Sequence, residues 1–201
     1  MLKVGLTGGL ATGKTFVGEA LRDLGCYLLQ ADQIGHEVLA PGAEAYEGVV
    51  REFGPAILQP DGTVDRRRLA ALVFGDPERL EVLTRLVHPP VLRRIEAEER
   101  RIAAQDPRAI VVVEAAILIE AGVHRRFDKL IVAVCDEEQQ LARALARGDG
   151  TREEVLARLR RQMPLEEKRK LADYVIDTSG SKEETLRQVR AVYDQLRSLE
   201  P

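Results

Sequence analysis

Asparagine and tryptophan are absent from this chain, and cysteine appears only twice in 201 residues. Two cysteines with no C-x-x-C pair supply neither a disulfide framework nor a metal-ligand spacing. Cys26 and Cys135 each sit in an apolar run and read as buried strand thiols. No stretch approaches the roughly 18 apolar residues of a membrane-spanning helix. The apolar start is too short, and turns to glycine too soon, for a signal peptide. A cytoplasmic protein without a membrane partner is expected. A net charge of −3 gives a nucleic-acid partner no support. Loss of a thermolabile residue together with abundant arginine fits a thermophilic source, although a GC-rich genome would raise arginine as well.

What is present is ordinary globular material, 45% apolar and 31% charged. A chain of this length buries ~70% of its unfolded surface, enough for one domain with room for a small inserted part. Short β-like runs alternate with helical ones: Leu2 to Thr7, Cys26 to Gln30, Ala109 to Glu114, Lys129 to Cys135 and Tyr174 to Asp177. Continuous apolar runs such as "AIVVVE" belong to strands covered on both faces. Helix starts are signalled by Asp76-Pro77 and by two reciprocal capping boxes, Thr151 with Glu154 and Ser181 with Glu184. His88-Pro89-Pro90 is expected to end one helix and start the next. Strands alternating with helices mean parallel strands and right-handed crossovers. The predicted fold is therefore α/β, a doubly wound parallel sheet of about five strands, with a helical sub-region at about 33–107 packed beside it.

The first strand runs into "GLTGGLATGKT", Gly5 to Thr15. Gly8-x-x-x-x-Gly13-Lys14-Thr15 matches the phosphate-binding loop, in the strand–loop–helix context that it requires. Glycines let the backbone wrap closely around an anion, and the helix start adds inward N–H groups and the positive end of a dipole. Lys14 would bridge the β- and γ-phosphates, and Thr15 would ligate Mg²⁺. Gly9, Ala11, Thr12, Gly13, Lys14, Thr15 and Phe16 are the expected nucleotide-binding residues.

The chain has no N/T-K-x-D motif for reading guanine, and its "VVVE" strand ends in Glu114 alone, not in the acidic pair of a motor ATPase. Small size and a helical block after the second strand suit a small-molecule kinase. A lid is expected at about 143–162, where Arg143, Arg147, Arg152, Arg158, Arg160 and Arg161 surround the turn Gly148-Asp149-Gly150. Mobile arginines can neutralise a transferring phosphoryl group; otherwise they are solvated charges paired with Glu153 and its neighbours. Arg147, last before the turn, is the first choice. Asp32 follows the second strand at the ligand edge of the sheet. It is either the carboxylate that aligns and deprotonates an acceptor hydroxyl or the N-cap of the next helix. By themselves, His36 and His88 read as structural.

The sequence resembles the dephospho-coenzyme A kinase family. The matching pieces run nearly end to end: the loop; Ala31, Asp32 and His36; Pro41-Gly42; Phe53-Gly54; "DGTVDR" from Asp61 to Arg66; Val73-Phe74; His88-Pro89; "ILIE" from Ile117 to Glu120; "RGDGTREE" from Arg147 to Glu154; Gln162; and "ADYVIDTSG" from Ala172 to Gly180. The resemblance implies a P-loop kinase fold and ATP- and Mg²⁺-dependent phosphorylation of the ribose 3′-hydroxyl of dephospho-coenzyme A. It implies Asp32 facing that hydroxyl, Arg147 in the lid, and an acceptor-binding helical block, with Arg66, His88, Ile117 and Leu118 among the acceptor contacts. The chain departs from the family's usual residues at Gln30, where an aspartate is usual, at Ala116 and Ile119, where "PLLFE" has a proline and an aromatic, and at Thr178, where an asparagine precedes Ser-Gly. A related nucleoside or nucleotide kinase and a non-catalytic nucleotide-binding regulator are the other readings; an intact Lys14, Thr15 and Asp32 favour catalysis.

Overall fold

The central apolar runs form strands buried on both faces, as expected of a sheet covered by helices on each side. In the computed structural model, which describes residues 1–199, the strands are β1 (Leu2–Gly8), β2 (Tyr27–Gln30), β3 (Ile110–Glu114), β4 (Lys129–Val134) and β5 (Tyr174–Asp177). They make one sheet in the order β2-β3-β1-β4-β5, every neighbouring pair parallel. The helices are α1 (Lys14–Asp23), α2 (Ala31–Glu37), α3 (Tyr46–Phe53), α4 (Arg66–Val73), α5 (Pro77–Gln105), α6 (Glu137–Ala146), α7 (Arg152–Arg161), α8 (Leu165–Lys170) and α9 (Lys182–Ser198).

Two compact units divide the chain: Met1–Gln30 with everything from Ile102 onward, and Ala31–Arg101. In the first, side chains alternate across the sheet as period-two geometry demands. Val4, Leu6, Val112, Ile131 and Ile176 meet Val17 and Leu21 of α1 and Val189 and Leu196 of α9. Val111 turns the other way, to Ile102 at the end of α5 and to Tyr27 and Leu29 of β2. Cys26 and Cys135 are buried, as expected. The capping boxes of α7 and α9 both form, and Asp76 accepts from Arg79 N at 3.0 Å at the start of α5.

Two local expectations are corrected. The helix does not break at His88-Pro89-Pro90; α5 runs through both prolines. They remove the N–H donors that the carbonyls of Arg85 and Leu86 would use, but the 29-residue helix is held by packing beyond them, at buried Val91, Ile95 and Ile102. Asp32 is not an N-cap, because α2 already starts at Ala31 and places Asp32 inside its first turn.

In the second unit, "DGTVDR" acts as a placement device. Asp61 accepts from Thr63 N at 3.0 Å, Gly62 takes φ 83°, and Val64 bridges Leu58. Asp65 then caps α4, accepting from Arg67 and Arg68 N–H groups at 3.0 and 3.1 Å. That fixes Arg66 as the first residue of α4.

Candidate active site

The phosphate loop connects β1 to α1 with little room to spare. A Cβ on Gly8 would stand 2.5 Å from the Ala133 carbonyl and 2.6 Å from Thr12 Oγ1. Gly13 takes φ 79° and opens α1 with no side-chain cap; Ala11 also adopts a left-handed φ, 57°. The first turn of α1 contains no acidic residue. Its leading N–H groups lack intrahelical acceptors, so the start of α1 is a site for an anion. Lys14 Nζ folds over the loop to the Gly9 carbonyl at 2.8 Å. Thr12 is fully buried and donates to the Gly9 carbonyl at 3.0 Å. Phe16 is half-buried, with Lys182 Nζ 5.9 Å above its ring.

Sequence reasoning missed the acid that completes this end of the sheet. Glu114 closes β3, buried to 7% exposure and in register with Leu6 of β1 and Gln30 of β2. Its Oε1 accepts from Thr15 Oγ1 at 2.8 Å and its Oε2 from Gln30 Nε2 at 2.9 Å. Gln30 thus supplies a donor to a carboxylate; an aspartate there would set two negative charges side by side. The hydroxyl of Thr15 and the carboxylate of Glu114 are hard oxygen ligands, which suit Mg²⁺. Among the described residues there is no cluster of three or more His, Cys, Asp or Glu able to hold a metal.

Lys168 is the second residue that sequence reasoning missed. It is fully buried and donates to the Gly8 and Ala116 carbonyls at 3.1 and 3.0 Å. Its charge is matched by Glu120 Oε1 at 2.8 Å. A buried ammonium survives only with such partners, and here it ties the base of the loop to the segment after β3. In that segment Ile117 is exposed, whereas Leu118 is buried at 4%, 3.2 Å from where a Cβ on Gly5 would lie.

Thr178, on the turn after β5, shares its hydroxyl hydrogen between the Thr12 and Val134 carbonyls at 2.8 and 3.2 Å. It accepts from Arg143 Nη1 at 3.1 Å, and Arg143 Nη2 reaches the Thr178 carbonyl at 2.7 Å. Arg147 ends α6 and pairs with Asp149 Oδ2 at 2.9 Å, its side chain 57% exposed. Gly148-Asp149-Gly150 is the expected turn between α6 and α7, with φ 73° and 138° at its glycines.

In the second unit, Asp32 is exposed on α2, and His36 follows one turn later. Arg66 Nη1 lies 2.8 Å from His36 Nδ1. Burial, then the charge of Arg66, hold His36 below its usual pKa, against a smaller opposing pull from Asp32; burial lowers half-buried His88 as well. An imidazole with a depressed folded pKa protonates first in the unfolded chain. Stability is therefore fully present above pH ~6.5 and is lost as the pH falls through the folded values. Urea midpoints are expected to drop as the pH falls below about 6.5, and the double replacement His36→Gln, His88→Gln to flatten that slope. An unchanged slope would assign the loss to carboxylates.

The sequence profile of the dephospho-CoA kinase family matches residues 2–184. The chain belongs to this family. A dephospho-CoA kinase from Aquifex aeolicus is 41% identical over 98% of both chains, and one from Carboxydothermus hydrogenoformans is 43% identical over 94% of this chain and 91% of its own. Among solved structures, a Thermus thermophilus protein superposes with a TM-score of 0.82 at 36% identity, covering 97% of each chain. The dephospho-CoA kinase of Campylobacter jejuni gives 0.70 at 27%, covering 98% and 97%. The expected P-loop kinase architecture is that of the family.

Proposed function

We propose that the protein transfers the γ-phosphoryl group of ATP to the ribose 3′-hydroxyl of dephospho-coenzyme A, releasing ADP and coenzyme A in the last step of coenzyme A biosynthesis. The family match over residues 2–184 carries the choice of acceptor; the uncapped, glycine-turned start of α1 supports a triphosphate donor. Phosphoryl transfer passes through a loose transition state with charge spread over the equatorial oxygens, so positioning and charge neutralisation do most of the work. In this reading Gly9, Ala11, Thr12, Gly13 and Phe16 line the ATP site. Lys14 leaves the Gly9 carbonyl for the β- and γ-phosphates. Thr15, with Glu114 behind it, holds Mg²⁺, which neutralises phosphate charge when bound. Asp32 aligns the acceptor hydroxyl and takes its proton. Arg66 and His88 serve the acceptor from the helical block. Ile117 is the exposed partner of the 117–118 pair and meets the acceptor, with Leu118 supporting it from the core. Water-soluble nucleotide substrates fit a cytoplasmic place of action.

The test is a panel of dephospho-coenzyme A, adenosine, AMP, CMP and shikimate at equal concentration with ATP and Mg²⁺. Dephospho-coenzyme A is expected to give the highest kcat/KM. A higher value for any other acceptor overturns the assignment.

A further inference from the structure

One residue of the phosphate loop, Leu10, is gripped through both its N–H and its carbonyl by side chains that the mechanism above does not use. Leu10 N–H donates to Gln162 Oε1 at 2.8 Å. The Leu10 carbonyl accepts from Gln140 Nε2 at 2.7 Å. The two amide orientations are forced, since a backbone N–H requires an oxygen and a carbonyl requires an N–H. Gln140 lies on α6, buried to 4%. Gln162 is the residue on which α7 ends. Leu10 is thus held by the two helices that flank the turn after Arg147.

Packing points the same way independently. Ala11, the next loop residue, is buried in one apolar cluster with Leu141 and Ala144 of α6 and Val155 of α7, and Leu10 packs against that cluster. Gln140 also presses on Gly9, so closely that a Cβ there would collide with its amide nitrogen. The loop is therefore seated in α6 and α7 by apolar contact and pinned there by two hydrogen bonds to the backbone of one residue.

We propose that Gln140 and Gln162 are positioning residues. They act together through the two peptide groups that flank Leu10 to lock the phosphate loop to the helices that bear the lid arginines. With its N–H spent sideways on Gln162, Leu10 offers nothing to phosphate, and the amides after the left-handed turn at Ala11 form the cradle. The same two bonds set the loop and the roots of α6 and α7 at one fixed spacing. Small errors in such spacing are costly, because transfer rates fall about 10²-fold for ~1 Å of misplacement.

The inference rests on the kinase reading, so its test includes measurements that need no acceptor. Gln162→Met and Gln140→Met keep length and remove the polar end. Each is expected to lower kcat/KM for ATP about tenfold, to leave the KM for dephospho-coenzyme A unchanged, and to weaken ATP binding by calorimetry. Hydrogen exchange at the Leu10 amide is expected to speed up at least tenfold in Gln162→Met. Because both residues hold the backbone of the single residue Leu10, the double variant should resemble the worse single variant, since coupled sites are not additive. Independent effects that multiply to about a hundredfold would overturn the proposal. So would unchanged ATP affinity in both single variants, or unchanged Leu10 exchange in a folded Gln162→Met protein. If the acceptor assignment alone is wrong, ATP affinity and amide exchange still shift as stated.

Discussion

Replacing Arg147 by alanine is expected to lower kcat by roughly 10²–10³-fold, while ATP affinity by calorimetry moves less than about threefold. The lid arginines differ in how far their charge is already engaged. Arg143 is committed to Thr178 through both terminal guanidinium nitrogens, Nη1 and Nη2. Arg147 is paired only one turn away, to Asp149, with more than half its side chain exposed. An exposed pair of this kind is worth at most about 1 kcal/mol, so releasing it is inexpensive. Stabilising charge that develops in the transition state, by contrast, accounts for ~3–4 kcal/mol of the barrier. Gly148 and Gly150 flank Asp149 with backbone conformations natural to glycine, so the chain can re-aim the guanidinium without unwinding α6. Steady-state kinetics at saturating ATP and acceptor decide the matter. An unchanged kcat would return Arg147 to the solvated surface, and a parallel loss of ATP affinity would make it a ground-state ligand.

The sequence was most legible where one local rule decides the outcome. Val111 to Val113 can be nothing but a buried strand. Thr151 and Ser181 announce their helices through capping boxes, and Gly8 through Thr15 carry their own motif. It was least legible where a residue's meaning depends on register or depth. Glu114 is a strand terminus until parallel pairing sets it beside Gln30 and in reach of Thr15. Its only advance signal is a lone carboxylate closing an apolar run. Lys168, within "LEEKRK", reads as a solvated helix face; only the fold puts its Nζ beneath the loop. Gln140 and Gln162 lie 22 positions apart, and nothing in that spacing foretells a shared partner at Leu10. The helix through Pro89 and Pro90 shows packing beyond the prolines overriding a local breaker. Thr178 shows the reverse economy, one hydroxyl satisfying two carbonyls while accepting from Arg143.

Replacing Asp32 by asparagine is expected to separate binding from chemistry. Asp32 is the second residue beyond β2, in the first turn of α2, exposed to solvent. It caps nothing, so asparagine removes only a favourable charge near a helix start, worth about 0.5 kcal/mol, and the melting temperature should barely move. The chemical loss is far larger. Asparagine cannot accept the acceptor's proton and holds the hydroxyl less firmly, so kcat should fall roughly 10²–10⁴-fold, or ~3–5 kcal/mol of barrier. ATP affinity depends on the loop and Lys14 and should stay within about threefold of wild type, since uniform binding is untouched. A general base also imposes an acid limb on the pH–rate profile, and that limb should disappear in the variant. Three measurements decide it: kcat with dephospho-coenzyme A, ATP affinity by calorimetry, and the pH dependence of kcat. If kcat stays within about threefold, the carboxylate is not the base and the acceptor hydroxyl is deprotonated late or by water. If ATP affinity collapses along with kcat, Asp32 belongs to the triphosphate and metal. If kcat falls while the acid limb persists, Asp32 aligns the hydroxyl without taking its proton, and the base is another group.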